Sequence, residues 1–279
     1  MSPDRRHAPG RFALRPPALA SDAPGAADGR AGGRATASRE GGPGVADEPA
    51  PRGHAARAGG VVFDLDGTLI DSVPDIHAAV GRTLEGLGQP PLPLPVVRSF
   101  VGNGVPALIE RVMAARGLAP DPVARARLVE AFMGHYMAAP TALTRPYPGV
   151  VEALAALAGE GRALGLCTNK PEAATRAILD GLGLASAFAA VVGGDSLPVR
   201  KPDPAPLRLA AERLGRPGVL YVGDSEVDAE TARRAGLPFL LFLGGYRRAP
   251  PEAMPHDAAF DDFRALPGLV RRLLRAAGA

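Results

Sequence analysis

The stretch Val61–Ser72, VVFDLDGTLIDS, constrains this 279-residue chain more than any other. An apolar run ends in two carboxylates, Asp64 and Asp66, and the chain then turns at Gly67. Side chains two apart on a strand return to the same face, so Asp64 and Asp66 lie side by side. Unpaired carboxylates closing an apolar strand are unfavourable beside a low-dielectric core. A turn alone does not account for them, and the pair points to chemistry at the end of that strand.

The rest of the chain says what kind of sheet this strand joins. Residues 60–64 read as a buried strand. From Pro74 the pattern becomes helical, with Ile76, Val80, Leu84 and Leu87 recurring before the breaker stretch 88–95. Further helices are expected at 95–101, 105–116 and 122–139, with Gly102–Asn103–Gly104 as a flexible elbow. No strand pattern occurs between Asp75 and Pro140, so residues 75–145 read as an all-helical insert. After the stiff linker 145–149, helices at 150–160, 172–182, 204–214 and 228–235 alternate with strands at 163–167, 188–192, 219–222 and 239–242. That alternation predicts an α/β fold, a Rossmann-like parallel sheet with helices on both faces, built from residues 58–74 and 146–279. Ligands of such sheets bind outside the carboxyl ends of the strands.

Charge and cysteine content narrow the classes. Residues 1–57 hold nine Arg against six acids, and the remainder has 23 of each sign, so the net +3 falls on the N-terminal stretch. That stretch is rich in Ala, Gly and Pro with one aromatic, Phe12, and is expected to be disordered. Its six acids weaken a targeting reading. Without aromatic interleaving it gives no support for nucleic-acid binding. No apolar run approaches the ~18–20 residues of a membrane span. Cys167 is the only cysteine, which excludes an intramolecular disulfide and favours a reducing, cytoplasmic setting. The chain uses 30 Arg but only two Lys, Lys170 and Lys201, suggesting that a compact point charge is required at those positions. The five histidines have no metal-site spacing.

The strand ends hold Asp64 and Asp66; Thr168, Asn169 and Lys170; Lys201 in RKPDP; and Asp224 with Asp228 four residues on. Oxygen-rich groups with lysine suit a divalent hard cation such as Mg²⁺ and a phosphate. In order and position, DLDGT, Thr168–Asn169, Lys201–Pro202 and GDSEVD resemble the four motifs of the haloacid dehalogenase-like hydrolases. The resemblance implies Asp64 as nucleophile, Asp66 as general acid and base, and Lys201 as the cation bridging nucleophile and phosphoryl group. It also implies Thr168 and Asn169 as phosphate ligands. Metal contacts would come from Asp64, the Asp66 backbone carbonyl and Asp224, with Asp228 in the outer shell of the site. Asp228 has a second reading as a solvated acid in the first turn of a helix, and Lys170 one as a hydrogen-bonding group near a helix start.

The helical insert resembles that family's small cap, which closes over the site and excludes water. It contains no lysine, against phosphonate hydrolysis through a Schiff base and against a phosphomutase, and dehalogenation does not use the acid at Asp66. Among the phosphatases the resemblance implies one acting on 2-phosphoglycolate; it is carried by RSFVGNGVPALIERV, GGDSLPVRKPDPAPL, YVGDSEVDAETARRAG and LPFLLFLGGYR. Arg98 and Arg111 are candidate partners for the substrate carboxylate. A related capped phosphatase acting on sugar phosphates, nucleotides or pyrophosphate is the alternative. A small phosphate ester is thus the expected partner, with neither nucleic acid nor membrane.

Overall fold

The computed structural model describes residues 59–276; the N-terminal stretch 1–57, expected to be disordered, lies outside them. Six parallel strands form one sheet in the order β5-β4-β1-β6-β7-β8. They are β1 (Gly60–Phe63), β4 (Ala163–Cys167), β5 (Ala190–Val192), β6 (Val219–Gly223), β7 (Phe239–Phe242) and β8 (Ala258–Phe260). β1 sits at the centre, paired with β4 and β6 in register from Gly60 opposite Ala163 and Val219. Its alternating side chains serve two cores: Val61 and Phe63 pack in one cluster and Val62 in the other, all fully buried. Helices cover both faces, as buried parallel strands require: α5 (Val150–Gly159), α6 (Glu172–Gly181), α7 (Ala205–Leu214), α8 (Glu226–Ala235) and α9 (Leu266–Ala276).

Between β1 and β4 the chain makes four helices, α1 (Val73–Glu85), α2 (Leu94–Arg98), α3 (Val105–Ala115) and α4 (Pro122–Met137). Proline in the first turn starts each of them, where a missing N–H is harmless. Their apolar faces pack on one another through Val80, Leu84, Ile109, Val112 and Phe132. The two chain segments that enter and leave this block run side by side as an antiparallel pair, β2 (Ile70–Asp71) and β3 (Arg145–Pro146). Asp75, in the first turn of α1, fastens them just beyond that ribbon. Its carboxylate accepts from Leu143 N (3.0 Å), Thr144 N (2.7 Å) and Thr144 Oγ1 (2.7 Å).

The structure departs from the sequence reading at short elements. β5 begins at Ala190 because residues 185–187 form a 3-10 turn, and Phe188 instead packs edge-on against Phe63. β8 is three residues of weak strand propensity, formed because β7 offers it an edge. α9 is a further element that the sequence reading did not include, although Leu266, Leu269, Val270 and Leu273 stand at helical spacing. Among the described residues no helix is long and apolar enough to cross a membrane.

Asp75 is 5 % exposed, so removing its carboxylate strands several buried donors. Asp75→Ala is expected to lower the unfolding free energy by about 3 kcal/mol in urea titrations. A loss below about 1 kcal/mol would mean the connection is held by packing alone.

Candidate active site

The site is assembled where the carboxyl ends of β1, β4 and β6 meet. Asp64 N donates to Val222 O at 2.9 Å, which carries the sheet pairing one residue past β1 and sets the Asp64 carboxylate beside the end of β6. Asp64 Oδ1 accepts from Leu65 N (2.7 Å) and lies 3.0 Å from Lys201 Nζ. Lys201 is 3 % exposed. Its ammonium also donates to Asp228 Oδ1 (2.7 Å) and to the Tyr221 hydroxyl (2.9 Å), so its three protons have three partners.

Asp228 is not a solvated helix-start acid: it is fully buried. Its Oδ1 faces Lys201 and the Tyr221 hydroxyl (2.8 Å), and its Oδ2 accepts from Ser225 Oγ (2.6 Å) and Ser225 N (3.1 Å). Ser225 and Asp228 form a capping box that opens α8, so the helix start and the lysine position are fixed by the same carboxylate. Burial opposes ionisation of Asp228, but the Lys201 ammonium and these donors hold its carboxyl below the usual range.

The second lysine occupies the matching position on Asp66. Lys170 Nζ donates to Asp66 Oδ2 (2.9 Å) and Oδ1 (3.0 Å). Ser72 Oγ donates to Asp66 Oδ1 at 2.5 Å and makes no cap to α1. The Tyr246 hydroxyl stands in, accepting from Ser72 N (2.9 Å) and donating to Asp71 Oδ1 (2.7 Å). Both lysines of the chain are therefore buried against the two carboxylates of the opening motif. The helix-start reading of Lys170 gives way to a buried ion pair, with Tyr136 of α4 beneath the ammonium (4.7 Å to the ring centroid).

Asp224 completes the acidic wall. It is 1 % exposed and accepts from Thr68 Oγ1 (2.8 Å) and Tyr246 N (2.6 Å). The loop must come close: a Cβ on Gly67, whose φ is +85°, would lie 2.6 Å from Asp224 Oδ2. Asp64, Asp224 and Asp228 each offer an oxygen within 4.8 Å of the others. Three carboxylates here face one ammonium. Burial raises the Asp64 carboxyl to about 6 against the pull of Lys201, and burial with the neighbouring carboxylates raises Asp224. Such a deficit of positive charge is what a hard divalent cation relieves, so the group fits one. Asp228 is the least free of the three, its oxygens being already engaged. The Asp66 carboxylate is committed to Lys170, which leaves its backbone carbonyl as the group it could offer a metal.

Thr168 and Asn169 are buried at the end of β4 and line one cavity with Asp64, Asp66, Lys170 and Tyr136. Asn169 Nδ2 donates to Gly102 O and to Lys201 O, both at 3.0 Å, tying the elbow of the insert to the lysine segment. Its side chain is thus structural, and only its backbone is left for a phosphate. Arg98 and Arg111 do not line that cavity. Arg98 donates to Gly245 O (3.1 Å) and lies over the Tyr246 ring, while Arg111 donates to Phe100 O (2.8 Å) and Asn103 Oδ1 (2.8 Å). Cys167 is buried, with burial raising its thiol to about 12, as a small hydrophobe. The residues that the sequence reading missed, Thr68, Ser72, Tyr136, Tyr221 and Tyr246, are polar groups in apolar surroundings. For Thr68 and Ser72 the signal was present, since Thr68 closes DLDGT and Ser72 follows four residues on; for the tyrosines nothing local marks them.

Comparison with known proteins agrees with this geometry. Residues 59–236 match the family model of the haloacid dehalogenase-like hydrolases. A Cereibacter sphaeroides protein named phosphoglycolate phosphatase is 57% identical over 215 residues, covering 77% of this chain and 99% of its own. One of that name from Rhodobacter capsulatus is 44% identical over 210 residues, covering 75% and 95%. The crystal structure of a predicted phosphoglycolate phosphatase from Haemophilus somnus superposes with a TM-score of 0.72 at 30% identity, covering 76% and 97%. With the motifs, the parallel sheet and the family match in agreement, the chain belongs to the haloacid dehalogenase-like hydrolases.

Proposed function

We propose that this chain is a phosphoglycolate phosphatase, hydrolysing 2-phosphoglycolate to glycolate and phosphate through an aspartyl-phosphate on Asp64. The names of relatives that align along nearly their whole length support the substrate. The observation that carries the chemistry is a nucleophile-ready carboxylate: Asp64 lines the cavity with one oxygen held 3.0 Å from Lys201.

An Asp64 oxygen attacks phosphorus as the bond to the glycolate oxygen breaks, and Asp66 gives that oxygen its proton. In the second step Asp66 takes a proton from the water that attacks phosphorus, and the Asp64–phosphorus bond breaks. Lys201 stays charged, since burial works against its ammonium but Asp228 and Asp64 outweigh it. It can therefore hold Asp64 while meeting the negative charge that grows on the phosphoryl oxygens. Thr168 and the Asn169 backbone bind those oxygens. Mg²⁺, held by Asp64, Asp224 and the Asp66 backbone carbonyl, would offset the repulsion between a carboxylate and a phosphate dianion.

Residues 75–145 act as the cap. Val105 and Leu108 of α3 and Phe132 of α4 give the cavity an apolar wall opposite the carboxylates, which excludes water from the phosphoryl intermediate. A reducing, cytoplasmic setting belongs to the same reading, with its lone buried cysteine.

Phosphate release from a panel of esters tests the substrate. The expected kcat/KM for 2-phosphoglycolate exceeds those for sugar phosphates, nucleotides and pyrophosphate by about 10²-fold or more, and EDTA abolishes it until Mg²⁺ is restored. A flat profile would discard the substrate, and EDTA-resistant turnover would discard the metal. Lys201→Arg keeps the charge but replaces a point donor by a planar fork among three fitted partners. Steady-state kinetics of that variant should show kcat lowered by about 10²-fold or more; near-wild-type turnover would refute the point-charge role.

A further inference from the structure

Tyr136, on α4 of the insert, lines the site cavity and lies against the Lys170 ammonium. It is 3 % exposed, its ring stacks on Phe132 (centroids 5.6 Å, planes 9° apart), and the Lys170 ammonium lies over its face. Its hydroxyl is buried and makes no hydrogen bond of ordinary length, the Lys170 ammonium being the charge that acts on it most strongly. The hydroxyls of Thr68, Ser72, Tyr221 and Tyr246 around it in the site are all bonded. The other unpartnered buried side-chain atoms among the described residues, Arg116 Nε, the Tyr147 hydroxyl and Thr175 Oγ1, belong to residues that do not line this cavity, whereas Tyr136 does. An unpaired buried hydroxyl is unfavourable, and one kept beside a reaction cavity is suited to a partner that arrives with the substrate.

The order of groups says which part of the substrate that is. In the proposed reaction Asp64 would attack phosphorus and Asp66 would protonate the ester oxygen; Lys170 is bound to Asp66, and Tyr136 lies against Lys170. The chain of contacts runs from the attacked atom toward the leaving group. We propose that the Tyr136 hydroxyl donates a hydrogen bond to the carboxylate of the leaving group, with Lys170 as the adjacent positive charge, so that α4 selects the substrate. This takes the role first expected of Arg98 and Arg111, whose guanidinium groups bond to the protein, and it rests on the phosphoglycolate reading. Tyr136 is a neutral donor near neutral pH, because burial raises its phenol more than Lys170 lowers it.

Tyr136→Phe deletes the hydroxyl and keeps the stacked ring. Kinetics would be measured with 2-phosphoglycolate and with p-nitrophenyl phosphate, which has no carboxylate. The variant should lose about 10-fold or more in kcat/KM for 2-phosphoglycolate, the weight of a hydrogen bond to a charged group. The p-nitrophenyl phosphate value should change by less than about 3-fold, and the melting temperature should not fall. Equal losses on both esters would make Tyr136 a positioning residue for Lys170 and overturn the proposal. An unchanged 2-phosphoglycolate value, or a lower melting temperature from a hydroxyl bonded within the fold, would also overturn it. A wild-type enzyme with no preference for 2-phosphoglycolate removes the substrate reading and this proposal together, and does so before any variant is made.

Discussion

Everything at the site depends on one buried ammonium. Lys201 holds two carboxylates from different elements, Asp64 after β1 and Asp228 in α8, within 3.0 and 2.7 Å. Burying a charge is unfavourable unless its partners are well placed, and removing one member of such a set leaves the rest uncompensated, at a penalty of about 3–5 kcal/mol. The arrangement therefore fixes positions as much as it stores charge. Asp228 answers Lys201 with one oxygen and caps α8 with the other, so the lysine and the loop bearing Asp224 cannot shift independently. What the cluster still lacks is positive charge, and the raised Asp64 and Asp224 carboxyls register that deficit.

The helical insert is tied to this cluster at a few points. Its two connections share the β2–β3 ribbon and the Asp75 carboxylate. The Tyr246 loop accepts the first amides of α1, bonds Asp224 through its own amide, and stacks against Arg98 of α2. Asn169 reaches the Gly102 carbonyl of the elbow. The Tyr246 and Asn169 ties run to residues that also bond Asp224 or the Lys201 backbone. A displacement of the insert on substrate entry would therefore be felt at the acidic wall through these hydrogen bonds.

Much of this was legible in the sequence because it breaks the rules of folding. Carboxylates closing an apolar strand, and two lysines in a chain that otherwise uses 30 arginines, are local violations. Such violations concentrate at functional sites. The βαβ rhythm was equally plain from period and breakers. What escaped was long-range. Tyr246 meets Ser72 across 174 positions, and Lys170 meets Asp66 across 104. Nothing local marks Tyr136, and only the fold brings it against Lys170. For Arg98 and Arg111 charge suggested a ligand, and in the structure they bond the backbone carbonyls of Gly245 and Phe100. β8 was invisible because its strand character comes from the open edge of β7 rather than from its own residues.

The central claim is that the phosphoryl group passes through Asp64. The most direct measurement is acid quenching of the enzyme during turnover of 2-phosphoglycolate, followed by mass spectrometry of its peptides. A phosphoryl group on Asp64 within the Val61–Ser72 segment, absent from enzyme quenched without substrate, is the predicted result. Steady turnover with no covalent adduct at any time point, or an adduct on another residue, would contradict it and point to direct attack by water or to a different nucleophile.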